Sequence, residues 1–451
     1  MNPADNALLH AWQTTLAHDP AAVALIESAT NRIVTRETLA TEAAALAAEF
    51  PVGLRDRRVV FSAPNGSIWF ALAIALMECG AVIVPLDPGE TAARQTEIAQ
   101  AIGAAASWRD GTWTVCRPPP TMHRDRATAL IKLTSGSTGT PRALRFTAAQ
   151  MLADGRQVAA SMDIGPADRN LAAIPFGHSY GLGNLVVPLL AQGTASVIAT
   201  APLPRVLAEN AARWSATVFP AVPALLRLCT LSDLPADAFA DLRTIISAGS
   251  PLPAETAQAF HRQFDRLVHG FYGSSETGGI SYDRDGQATL AGAGVGTAMD
   301  GVTLELAPGN RLRVASAAVF TLGNRRRNAA GLGQHVMGDR AEIAANGQLS
   351  LTGRTGRVVK LGGRRLELGE LEHHLRAVPG IDDALAMAHP RRPEHLVAAV
   401  QTAWDEAALR RVLGEKLPAW KIPRRLLCLP TFPLTPRGKP DTAALRRLLG
   451  A

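Results

Sequence analysis

The sequence is short of aromatic residues, short of cysteine and without a long unbroken apolar run, and each shortage removes a class of protein. Phe, Trp and Tyr make up 5% of the 451 residues, so stacking platforms for single-stranded nucleic acid are scarce. The net charge of +7 comes with arginines scattered in pairs and triplets, at residues 325–327, 364–365, 391–392 and 424–425. No nucleic-acid motif surrounds them, and they suit a polyphosphate small molecule better than DNA or RNA. Cys79, Cys116, Cys229 and Cys428 stand far apart without metal-ligand spacing, which argues against structural zinc and a disulfide framework. The longest apolar stretch, residues 68–86, carries Glu78, breaks at Gly80 and meets Pro85. It reads as a helix followed by a buried strand, not as a membrane span. The N-terminus lacks a basic region followed by an apolar one, so no signal peptide is expected and the protein is read as cytoplasmic.

Also missing is the G-x-x-x-x-G-K-[ST] loop of P-loop NTPases. Residues 133–144 instead run LTSGSTGTPRAL, with five hydroxyls and two glycines. Such a stretch fits neither a helix interior nor a packed strand, and is predicted to be a loop. Backbone N–H groups at the glycines, with the hydroxyls, make a nest of donors for phosphate oxygens. Arg142 adds a fixed charge and a planar fork of donors. A flexible linker is the plainer reading, but the apolar run at residues 129–131 argues against it.

With 47% apolar and 19% charged residues the chain is globular, and it is too long for one core. A strand at residues 58–62, a helix to residue 79 and a strand at 81–84 form a βαβ unit, which implies a parallel sheet. Residues 129–132 are a strand feeding the Ser/Thr/Gly loop. Further strands are predicted at 171–174, 195–199, 216–218 and 242–247, with helices at 184–192, after Pro223 and at 253–264. Residues 270–279 read as strand running into loop. Ligands bind at the carboxyl ends of such strands. After about residue 290 the pattern changes to short antiparallel strands at 303–307, 311–314, 342–344 and 348–351. Asn346-Gly347 is predicted to be a two-residue hairpin turn. From residue 357 a small α+β pattern follows, with strands at 358–361, near 384 and 396, and at 425–429, and helices at 368–377 and 406–416. The expected fold is α/β: a large N-terminal domain of parallel α/β subdomains plus a small antiparallel β subdomain, residues 1–355, then a small α+β C-terminal domain, residues 356–451.

Several motifs, in one order over almost the whole chain, resemble those of the adenylate-forming family of acyl- and aryl-CoA ligases, peptide-synthetase adenylation domains and firefly luciferase. LTSGSTGTPRAL looks like its phosphate loop and PFGHSYGL (residues 175–182) like its acyl-pocket motif. SAGSPLP (247–253) is similar to its adenine-side loop, and FYGSSET (271–277) resembles its Tyr-Gly-x-Thr-Glu motif. Gly338-Asp339 matches the end of its Thr-Gly-Asp motif. Residues 351–372 look like its domain junction, 434–441 like its catalytic-lysine segment, and MECGAVIVPLDP like an early structural motif.

The resemblance implies ATP, Mg²⁺ and a thiol acceptor, either coenzyme A or the phosphopantetheine of an acyl carrier protein. Thr134, Ser135, Gly136, Ser137, Thr138, Gly139 and Arg142 would hold the phosphates, and Gly249, Tyr272, Gly273 and Ser275 would line the nucleotide. Glu276, with Thr138, would hold Mg²⁺. Asp339 would take the ribose hydroxyls and Arg354 would orient the ribose. Lys439 would bridge carboxylate and α-phosphate, on a C-terminal domain that swings about Gly356. Taken singly, Glu276 reads as a helix-start acid, Asp339 as a turn residue, Arg354 as a surface charge and Lys439 as a tail lysine; their shared order favours the functional reading. The departures are Arg142-Ala143 for the usual Lys-Gly, Ser275 for Thr, Met337 for Thr, and Gly356 for a charged hinge residue.

Amino-acid-activating members carry an Asp in the pocket motif, and residues 175–181 have none, so an acid without an α-amino group is expected. His178 is implied as a substrate contact. Two rival readings are a luciferase-like oxygenase and a silent adenylate-binding module. The presence of Glu276 and Lys439 counts against the second.

Overall fold

The computed structural model describes residues 5–116, 127–134, 142–199, 201–321, 327–354, 358–361, 364–389, 392–417, 421–435 and 440–450. The chain divides into two compact units, residues 1–303 with 314–335, and residues 304–313 with 336–451.

The first unit contains two mainly parallel sheets. In the six-stranded sheet, Arg58–Ser62 pairs in parallel with Val82–Leu86 and with Ala106–Arg109. The predicted βαβ unit is thus present, its connection being the helix Ser67–Glu78. That helix is apolar and buried almost all round, as a helix between layers of core must be. Trp69 packs edge-on against Phe61, Phe70 and Phe176, with ring centroids 5.4–5.6 Å apart. No helix among the described residues is long and apolar enough to cross a membrane.

The nine-stranded sheet has six parallel strands at its centre: Val268–Ser274, Thr244–Ser247, Val218–Ala221, Arg169–Ala172, Ala195–Ile198 and Val23–Glu27. Beside them lies a second core in which Phe239 stacks on Phe219 and Phe260. Asp168, just before the strand Arg169–Ala172, ties this region together. It accepts from Arg243 Nε (2.8 Å), Thr217 Oγ1 (2.7 Å) and Gly165 N (2.8 Å).

The second unit holds most of the four-stranded sheet Thr303–Ala307, Arg311–Ser316, Gly333–Ile343 and Leu349–Arg354, the last pair antiparallel; Thr303, residues 314–316 and residues 333–335 of it belong to the first unit. It also holds the three-stranded sheet of Ile381–His389, Arg392–Thr402 and Arg425–Leu429. The helix Glu406–Lys416 begins where Asp405 caps Ala408 N at 2.7 Å. Its Leu409 and Leu413 join a core with Leu371 and Leu375 of the helix Leu368–Arg376.

Several predicted elements differ: the strand expected at 216–218 is Val218–Ala221, the one expected at 342–344 is the longer Gly333–Ile343, and four others depart as follows. Strands reach into the expected loop 133–144 from both sides: Leu130–Thr134 pairs antiparallel with Arg142–Phe146, because alternating residues around Leu144 and Phe146 bury one face. Residues 270–279 belong to an antiparallel hairpin, Val268–Ser274 with Gly278–Tyr282. The helix expected at 184–192 opens with a π-helical turn, Leu182–Val186, and continues as Val187–Gln192. The turn at Asn346-Gly347 is one residue longer than expected, closing with Ala344 N donating to Gln348 O at 2.9 Å.

Candidate active site

The pocket motif is fixed by its aromatic residue. Phe176 is fully buried against Trp69 and Phe70, 5.6 and 5.1 Å away. Asn65 clamps the same segment, donating to Ile174 O (2.8 Å) and accepting from Phe176 N (2.9 Å). Gly181 is required here, since a Cβ would stand 2.0 Å from Pro175 O. His178 follows this anchor, and its Nε2 lies 2.8 Å from Oδ2 of Asp87, at the end of the strand Val82–Leu86. The contact is ion-pair close, but off-line for a hydrogen bond. Ser179 Oγ meets Ser275 Oγ at 3.1 Å. Tyr180 donates its hydroxyl to Ile246 O (3.2 Å), and burial pushes that phenol well above its usual range, so it stays a neutral donor. Pocket motif, Ser275 and the strand leading to Gly249 are thus joined.

The strands flanking the Ser/Thr/Gly segment are organised by a second set of contacts. Thr134 and Arg142 are register partners at the mouth of their hairpin. The exposed Arg142 guanidinium sits 5.9 Å from the centre of the Phe320 ring. Phe320 N in turn donates to Glu276 O at 3.0 Å. Glu276 rides on a tight turn in which Ser274 and Thr277 hydroxyls lie 2.9 Å apart and Thr277 N donates to Ser274 Oγ. Tyr272 and Gly273 lie in the strand Val268–Ser274, Gly273 exposed. Gly249 follows the strand Thr244–Ser247 at a φ of +92°, a left-handed backbone that favours glycine.

In the second unit, Asp339 and Arg354 are register partners between the strands Gly333–Ile343 and Leu349–Arg354. Ser135, Gly136, Ser137, Thr138, Gly139, Gly356 and Lys439 lie outside the described residues.

Three charged residues escaped the sequence reading. Asp87 sits in the quoted VPLDP stretch, where an acid after a buried strand carried the only signal. Lys132 and Asp154 form an ion pair, Nζ to Oδ2 3.7 Å, with side chains 3% and 4% exposed. Burial pushes the Lys132 ammonium below the usual lysine range, while the charges of Asp154 and Glu276 pull the other way. A lysine amid the apolar run ALIKL was the available clue.

Among the described residues no group of three or more His, Cys, Asp or Glu could cage a metal. Mg²⁺ does not require one, because it keeps waters and binds through one or two carboxylates plus phosphates. Glu276 is one carboxylate on a tight turn, which fits that pattern. The buried Ser247 hydroxyl has no hydrogen-bond partner among the described residues, which fits a polar ligand near the Gly249 loop.

Two mainly parallel α/β sheets, with the pocket motif joined to the Ser275 turn through Ser179, define an α/β protein of the kind that binds ligands at the carboxyl ends of its strands. Residues 105–315 match the family of AMP-binding enzymes. The L-proline–[L-prolyl-carrier protein] ligase of Streptomyces coelicolor is 28% identical over 366 residues, covering 74% of this chain and 68% of that one. The sulfoacetate–CoA ligase of Cupriavidus necator is 27% identical over 414 residues, covering 85% and 77%. ATP-bound MatB from Rhodopseudomonas palustris shares the fold with a TM-score of 0.80 at 21% identity, over 99% of both chains. Residues 105–315 thus carry the AMP-binding-enzyme match, and the similarity to these ligases supports an adenylate-forming reading.

Proposed function

We propose that this chain uses ATP to activate a carboxylic acid without an α-amino group and then passes the acyl group to a thiol. In the first step the carboxylate oxygen attacks the α-phosphorus and pyrophosphate leaves. In the second the thiol sulfur attacks the acyl carbon and AMP leaves. The observation that carries this reading is the set of contacts beside the Thr134–Arg142 strand pair: the Arg142 guanidinium lies over the Phe320 ring, the Phe320 backbone bonds the backbone of Glu276, and the Glu276 charge acts on the buried Lys132.

The assigned roles follow the motif matches. Residues 134–139 with Arg142 hold the phosphates; Gly249, Tyr272, Gly273 and Ser275 line the nucleotide. Glu276 and Thr138 hold Mg²⁺, whose charge offsets that of the phosphates. Asp339 accepts from the ribose hydroxyls and Arg354 orients the sugar. Lys439 stabilises charge between carboxylate and α-phosphate, and residues 356–451 act as a lid turning on Gly356. The cytoplasm is the proposed location.

His178 and Asp87 support the substrate class. The Asp87 carboxylate beside the pocket motif is already occupied by His178, 2.8 Å away, so it is not a free counter-charge for an amino acid's ammonium. Coenzyme A is the proposed acceptor. A carrier-protein pantetheine is the second reading, supported by the likeness to the prolyl-carrier-protein ligase. The test is to supply ATP, Mg²⁺, an acid panel and either thiol, and to assay AMP and thioester by mass spectrometry. AMP with thioester supports the reading. AMP with oxygen uptake and no thioester would move it to the oxygenase class.

A further inference from the structure

The buried charges Lys132 and Asp154 stand between the two hairpins of the site. Lys132 lies in the strand Leu130–Thr134, just ahead of the Ser/Thr/Gly loop, and its ammonium also sits over the Phe146 ring, 4.5 Å from the centre. Asp154 lies on the helix Ala148–Ser161. That helix is fixed at its start by a capping box between Thr147 and Gln150, and Gln150 Nε2 donates onward to Val319 O at 2.8 Å.

Asp154 reaches both hairpins at once. One oxygen faces Lys132, while the other accepts from Gly279 N at 3.0 Å, three residues past Glu276. Two glycines are cut to its shape. A Cβ at Gly278, whose φ is +73°, would stand 2.2 Å from Oδ1, and one at Gly183 would stand 3.2 Å from Oδ2. The carboxylate thus touches the phosphate hairpin, the Glu276 hairpin and the π-helical turn after the pocket motif. An apolar pair of similar volume would serve stability as well, since desolvation consumes most of what a buried ion pair gains. A charged pair here calls for another reason, and its bonding to two hairpins supplies one.

We propose that Lys132 and Asp154 are a positioning pair that holds the phosphate hairpin in register with Glu276 and thereby sets the affinity for Mg·ATP. The proposal rests on the adenylate-forming reading for its ligand, but not on the acid or the acceptor. Neither residue touches substrate in this scheme. They act through Thr134 and Arg142 on one side and Glu276 on the other.

The test measures binding of Mg·ATP to the full chain by calorimetry, with no acid present, together with the melting temperature. The variants are Lys132→Met combined with Asp154→Asn, and Lys132→Arg. The neutral double variant leaves no unpaired buried charge, and Asn keeps an acceptor for Gly279 N. It is expected to fold and to lose about tenfold or more in Mg·ATP affinity, the scale for groups that orient ligands of a metal. Lys132→Arg, which keeps the charge, is expected to recover most of that loss. In steady-state assays KM for ATP should rise while KM for the acid stays put. A folded double variant with wild-type affinity would overturn the proposal, as would equal rises in both KM values. Should the double variant not fold, hydrogen exchange on the wild-type chain decides. Mg·ATP is expected to protect residues 130–134 and 278–282 together, and protection of one hairpin alone would overturn the proposal. A wild-type chain that does not bind Mg·ATP overturns it too. If Mg·ATP binds but no acid drives turnover, the acid-activation reading fails by itself.

Discussion

His178 is held 2.8 Å from Asp87, a residue on a different sheet-end loop, while Phe176 two positions before it is locked into the aromatic core. One side of the imidazole is therefore set by a carboxylate and its backbone by packing. Asp87→Asn removes the charge that orients the ring and leaves Phe176 anchored. KM for the acid is expected to rise about tenfold, in line with the cost of a small misplacement, with KM for ATP unchanged. Steady-state kinetics against both substrates check this. Equal effects on both would make Asp87 a general support of the fold.

On the proposed assignments Glu276 acts through the metal and Asp339 through the nucleotide, so their variants should differ. Glu276→Gln is expected to slow turnover and to be partly rescued by raised Mg²⁺. Asp339→Ala is expected to raise the ATP requirement at every Mg²⁺ level. A grid of ATP and Mg²⁺ concentrations distinguishes the two, and unchanged ATP dependence in both variants would contradict the assignments.

Much of the fold was legible because local signals agreed. The β-branched run at 58–62, Gly80 and the apolar helix between them define the βαβ unit without tertiary help. The helix expected at 406–416 is present as Glu406–Lys416, and its capping by Asp405 is seen in the structure. The strand ends Thr134 and Arg142 fall inside the expected loop 133–144, since Ser, Thr and Gly obscure the alternation that resumes at Arg142. The π-helical turn was illegible in principle, because π- and α-helices bury similar apolar patterns. Within the candidate site, motif resemblance singles out Glu276 and His178. It does not single out Asp87 and Asp154, because a partner set by sheet-to-helix packing leaves no spacing in the sequence.

Asp168 should make acid stability measurable at one residue. Burial alone would raise its pKa, but bonds from Arg243, Gly165 and Thr217 outweigh that and hold it below the ordinary value. A depressed carboxyl contributes fully above the unfolded-state pKa of about 3.9 and loses its contribution as pH falls through the folded value. Asp168→Asn is expected to cost about 1–2 kcal/mol at pH 7, Arg243 being partly solvated. The gap in melting temperature from wild type should close below about pH 4. A gap independent of pH would show that the charge is not what stabilises.

Lys439 is expected to serve only the first half-reaction. Lys439→Ala should lose adenylate formation by about a thousandfold, equivalent to about 4 kcal/mol of transition-state stabilisation. The same variant should still pass a supplied acyl-adenylate to the thiol. Gly356→Pro, which fixes φ at the junction, is expected to hinder thiol transfer more than adenylation. Separate assays of the two half-reactions test both, and equal losses in Lys439→Ala would contradict a turning lid.

The most direct measurement is ATP–pyrophosphate exchange by the purified chain over a panel of aryl, alkyl and α-amino acids. Exchange driven by one or more aryl or alkyl acids, absent with free amino acids and abolished in Lys439→Ala, is the expected result. Exchange driven by an α-amino acid alone, or none with any acid while Mg·ATP binds, would contradict carboxylic acid activation of the kind proposed.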